Sequence, residues 1–145
     1  MRILALVAAT WSCSLSVAAQ SATLAEAQAA YGLFDVNKAE SLYREVAKTS
    51  SARVDRGTAQ RELARIAWLV DGDSRRATSI LERSLPDNPD PCPAALLYAR
   101  ILNDSVSPTH ARMKLRPWSV LCLETEPGVA LEVLRSYVVE AGQTT

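Results

Sequence analysis

The chain has 145 residues, 48% of them apolar, and its 16 basic side chains balance its 16 acidic ones. Formal neutrality excludes the strong basic surplus of a nucleic-acid binder and the polybasic segment of a membrane-surface anchor. With 5 Gly and 7 Pro, the composition is that of a folded helical domain and not of a disordered chain.

Residues 1–19 read as a signal peptide. Arg2 gives a short positive start, an apolar run extends from Ile3 to about Val17, and Val17-Ala18-Ala19 offers small residues before Gln20. The run is shorter than the ~20 apolar residues a membrane span needs. Two rival readings are an uncleaved anchor and a lipoprotein signal acylated at Cys13; bulky Trp11 opposes the second. Cleavage leaves 126 residues, 15 basic and 16 acidic, enough for one domain with no remaining membrane span. The expected destination is the periplasm. A surplus of 13 Arg over 3 Lys points to a GC-rich bacterial genome.

The first hairpin is expected from Ala22 to Leu33 and onward from Asn37. Leu24, Ala27, Ala30, Tyr31 and Phe34 form the apolar side of its first helix; Ala39, Leu42, Tyr43, Val46 and Ala47 form that of its second. Tyr31 and Phe34 are a candidate stacking pair, but their helical spacing favours a place in the core. Residues 49–57 are polar and read as a loop. A second hairpin follows from about Thr58. Its first helix presents Ala64, Ile66, Ala67, Trp68 and Val70. Asp71-Gly72-Asp73 makes a tight turn, with Asp73 as N-cap of the next helix. That triplet also resembles the start of a calcium loop, yet the further acidic ligands and the closing Glu are missing. Ala77, Ile80, Leu81 and Leu85 then line one helical face. Arg61, Glu62 and Arg65 read as charge pairs on a solvated face.

Four prolines between Pro86 and Pro93 exclude helix there, and Pro93 opens the next one, which runs to about Leu102. Ser107-Pro108 starts another. Pro117 is expected to break it, with a short further turn from Trp118 to Glu124. A last helix spans roughly Pro127 to Ala141, with Val129, Ala130, Val133, Leu134, Tyr137, Val138 and Ala141 on a broad apolar side. Residues 142–145 read as a loose tail.

The segment from Arg61 to Pro89 resembles a tetratricopeptide repeat, a hairpin of 34 residues. Trp68 falls at the family's large aromatic position, Gly72-Asp73 at its turn, Ala77 at its most constrained small position, Leu81 at the next core position and Pro89 at its terminating proline. Arg61 and Arg65 depart from the family's Trp and small residue. Shifting the frame places Ala111, Leu115, Leu102 and Ala99 in the following copy, and Ala39, Tyr43, Asp35 and Ala27 in the preceding one. The step from Ala39 to Ala77 is longer than one repeat, and the polar loop is expected to hold the excess. The resemblance implies an all-α fold: a short right-handed α-solenoid of about three helix-turn-helix hairpins over residues 20–141, closed by a C-terminal capping helix.

Cys13 leaves with the signal, so Cys92 and Cys122 remain, an even count in an exported chain. They flank the third hairpin and read as a disulfide. The competing reading joins them with His110, the only histidine, as zinc ligands, but a fourth ligand and finger spacing are missing. A Cys–His nucleophilic pair lacks a group to orient its base. The sequence has no phosphate loop, no G-x-S-x-G and no H-E-x-x-H. Paired acids of a small hydrolase meet only in space and stay open. The expectation is therefore no enzyme, no cofactor and no metal.

The resemblance implies that the first helix of each hairpin lines a concave groove for a peptide or partner helix. The positions expected there are Leu24, Gln28 and Tyr31, then Glu62, Ile66 and Leu69, then Leu96, Arg100 and Asn103. The family's Lys/Asn carboxylate clamp is absent, and Arg100 with Asn103 is its nearest substitute. The expected function is an exported adaptor or scaffold. The alternative is a fixed subunit of a larger envelope assembly, which self-association with an exposed apolar stripe would favour.

Overall fold

The computed structural model describes residues 22–143. Among these the chain is helical without strands: α1 (Leu24–Gly32), α2 (Val36–Thr49), α3 (Arg53–Leu69), α4 (Ser74–Ser84), α5 (Cys92–Ser105), α6 (Pro108–Leu121) and α7 (Gly128–Gln143), with a 3₁₀ turn at Leu85–Asp87. The expected signal peptide lies outside the described residues. No described helix is long and apolar enough to cross a membrane.

The starts of the helices follow from their caps. Thr23 and Glu26 form a capping box on α1: the Glu26 amide donates to Thr23 Oγ1 at 3.3 Å and the Thr23 amide donates to Glu26 Oε2 at 2.8 Å. These bonds hold the Glu26 carboxyl below its ordinary pKa. Asp35, Asp73 and Ser107 cap α2, α4 and α6 in one way. Each side chain accepts from the amide three residues on, Lys38, Arg76 and His110, at 3.2, 2.8 and 3.4 Å. Four residues after each cap stands an alanine with no exposed surface: Ala39, Ala77, Ala111. Four further on come Tyr43, Leu81 and Leu115, at most 1% exposed. The spacing of cap, alanine and large apolar residue thus recurs in three helices.

Small residues let the helices approach closely. Ala27, Ala30, Ala39 and Ala59 surround Tyr43, Val46, Leu63 and Ile66 in an N-terminal cluster. Ala64, Ala67, Ala77, Ala94, Ala95, Ala99 and Ala111 share the main cluster with Leu81, Tyr98, Ile101 and Leu115. Ile80 packs against both. Trp68 is half-buried on the main cluster and not at its centre.

Several expectations are corrected. α3 begins at Arg53, so only residues 50–52 connect it to α2. Residues 53–57, expected in a polar loop, are thus the first turn of α3. Phe34 is 90% exposed with φ of 60°, in the left-handed region, at the turn after α1. It is not a core residue, because the helix has ended before it. α6 runs unbroken through Pro117 to Leu121. Leu115, Cys122 and half-buried Trp118 anchor both sides of the proline in the core, which offsets its one missing N–H. α5 extends past Leu102 to Ser105, and Gly142 and Gln143 belong to α7.

Cys92 and Cys122 stand with sulfurs at bonding distance and Cα atoms 5.4 Å apart, tying the start of α5 to the end of α6. Both are buried.

Candidate functional site

Of the seven positions expected to contact a partner, Glu62 and Ile66 are buried. Gln28 is exposed on α1, Tyr31 is half-buried against the N-terminal cluster, and Leu69 is 59% exposed at the end of α3. Ile66 is 1% exposed and belongs to the core, since the small residues Ala27 and Ala30 let neighbouring helices close over it. Of the two companions from the resemblance, Leu24 packs on the N-terminal cluster and Leu96 on the main one.

Glu62 is 7% exposed, not solvated as its charge suggests. Arg61 approaches its Oε1 at 3.0 Å and Arg65 its Oε2 at 3.2 Å. Two guanidiniums from the same helix make burial of this carboxylate tolerable. Burial first, and the Glu62 charge second, push the Tyr43 hydroxyl upward. Arg61 and Arg65, the departures from the repeat pattern, are thus the groups that hold Glu62.

Arg100 and Asn103 face a carboxylate of their own chain. The Asn103 amide nitrogen donates to the Glu132 backbone carbonyl at 2.9 Å and to Glu132 Oε2 at 3.0 Å. Arg100 Nε lies 3.8 Å from Glu132 Oε1. α7 therefore occupies these two residues.

Two further features lie away from the expected partner positions. The first is a carboxylate junction: Glu82 of α4 accepts from Tyr98 of α5 at 2.7 Å and from Lys114 of α6 at 2.5 Å. The Lys114 bond first, then the Tyr98 bond, hold the Glu82 carboxyl below the ordinary range. Burial first, and the same Glu82 bond second, push the Tyr98 hydroxyl up. The second is a stripe on α7. Val129 is fully buried and Val133 packs on the core, but Leu131, Leu134 and Val138 are 64%, 58% and 72% exposed. α7 was expected to hide the last open face; it covers one side and opens another. The side chains of Tyr137 and Ala141 lie outside the described residues. Next to this helix, Val120, Leu121 and Leu123 are also exposed.

Among the described residues no group of three or more His, Cys, Asp and Glu side chains is placed to hold a metal. No protein-family model, curated protein or solved structure matches the chain.

Proposed function

We propose that the chain is an exported, non-enzymatic protein-interaction module of the tetratricopeptide-like kind, a short right-handed α-solenoid that serves as a fixed subunit of an envelope assembly. Its C-terminal end docks the apolar face of a partner helix. The observation that carries this reading is the exposed row Leu131, Leu134 and Val138 at i, i+3, i+7 spacing on α7. Such a row is the pattern by which one helix takes another. A neutral exported chain gains little by leaving it in water.

The adaptor reading, with a groove along the first helices, is supported less. Ile66 and Glu62 are buried, and Glu132 holds Arg100 and Asn103. Gln28, Tyr31 and Leu69 are what remains for a peptide there. The two readings separate in one comparison of Leu134→Asp with Gln28→Ala and Leu69→Ala. Loss of co-purifying partner in the first variant alone supports docking through α7. Loss in the other two alone restores the groove.

A further inference from the structure

We infer that the cleft where α2, α3 and α4 meet is a binding site for a small organic phosphate. The cleft has a volume of about 340 Å³, within the range of ligand sites. Arg53, Arg56 and Gln60 reach it from one face of α3, at i, i+3, i+7 spacing, and Arg83 reaches it from the end of α4. Asn88, in the connection after α4, supplies a further amide.

The charges of this cleft are not cancelled. Arg44, Arg61, Arg65, Arg76, Arg100 and Arg135 each have a carboxylate oxygen within 4 Å. None of Arg53, Arg56 and Arg83 has one among the described residues; the one acid lining the cleft, Asp87, stands farther off than that. Two of the three are held instead by neutral acceptors. Arg56 donates to the carbonyls of Ser50 and Ser51 at 2.6 and 3.1 Å, and Arg83 Nε donates to the Ser79 carbonyl at 3.0 Å. These bonds fix the guanidiniums and leave other N–H groups to donate. Several forked donors around one point suit the oxygens of a phosphate.

The site is built in part by a segment expected as a loop. The first turn of α3 carries Arg53, Arg56 and Gly57. Gly57 is buried, and a Cβ there would lie 2.5 Å from Asn88 Oδ1. The absent side chain is what lets Asn88 close the floor. A second cleft of about 420 Å³ adjoins the first and shares Ala47, Gln60 and Arg83 with it; Leu63 and Ile80 give it an apolar wall. The phosphate lies among the arginines, and the organic body lies over Ile80. This site is separate from the α7 stripe and independent of it.

Calorimetric titration of the purified protein at low salt tests the site, with glycerol 3-phosphate, inorganic phosphate and glycerol as probes. The expected result is saturable binding of glycerol 3-phosphate, weaker binding of inorganic phosphate and none of glycerol. Arg53→Gln and Arg83→Gln should each weaken binding about tenfold. Both side chains are exposed and lack a carboxylate partner, so unchanged melting curves should accompany the loss. Arg75→Gln, at the opposite end of α4, should bind as wild type. No saturable binding of either phosphate overturns the site. So does equal weakening by Arg75→Gln, which marks unspecific charge attraction. Equal affinity for the two phosphates overturns the assignment of an organic ligand.

Discussion

Asn103 of α5 binds Glu132 of α7 twice, through its backbone carbonyl and its carboxylate, at 2.9 and 3.0 Å. The other atom of the same amide, Asn103 Oδ1, is buried without a hydrogen-bond partner. Truncation of the two sides should therefore be unequal. Glu132→Ala keeps the backbone carbonyl as acceptor for the Asn103 amide but removes the carboxylate bond together with the Arg100 and Arg135 pairs, and should cost about 1 kcal/mol. Asn103→Ala removes the donor together with the orphaned acceptor and should cost less. Urea unfolding of both variants checks the order; a larger loss for Asn103→Ala would contradict it.

Gly57 should not behave as a mid-helix glycine. Elsewhere Gly→Ala in a helix gains about 1 kcal/mol. Here the added Cβ would stand 2.5–2.8 Å from three atoms of the Asn88 amide. Gly57→Ala should push the Asn88 side chain aside and break its bond from the Asp90 amide, so that the usual gain is lost or reversed. In an Asn88→Ala background the same change should become neutral or favourable. A double-mutant cycle by urea unfolding measures the coupling.

Reduction should lower the melting temperature. Cys92 and Cys122 close a loop with a sequence separation of 30. On the chain-entropy model such a closure contributes about 3–4 kcal/mol. An unchanged melt, with two titratable thiols in the native protein, would remove the bridge.

Glu82 gives stability a defined pH dependence. Bonds from Lys114 and then Tyr98 depress its folded-state pKa. A group depressed in this way contributes stability that is present above its unfolded pKa and is lost as pH falls through the folded one. Glu82→Gln should thus be less stable than wild type at neutral pH. The gap should close on acidification below the ordinary carboxylate range. Thermal melts at a series of pH values test this; a constant gap would contradict it.

The register of α2, α4 and α6 was legible because it is local. A cap, an alanine four residues on and a large residue after four more can be read from one segment at a time. The Ser107 cap and a helix opening beside Pro93 were legible for the same reason, whereas Pro86, expected outside any helix, sits in the 3₁₀ turn Leu85–Asp87. The misreadings arose where tertiary packing decides. Pro117 stays helical because Leu115 and Cys122 are fixed in the core on either side. Glu62 reads as a surface charge, and only packing shows it buried between two arginines. The apolar residues of α7 announce an amphipathic helix, but spacing alone does not say whether the same chain covers the face. The arginine cleft could not be read at all. Arg53 and Arg83 meet only because residues 53–57 are helical, where composition suggested a loop.

The most direct test of the interaction role is site-specific photo-crosslinking in intact cells, with the probe placed at Leu131, Leu134 or Val138. One dominant protein adduct should form from all three positions and disappear in a Leu134→Asp background, while a probe at exposed Gln28 gives none. Adducts absent from the α7 positions, or unaffected by Leu134→Asp, would contradict docking through this helix.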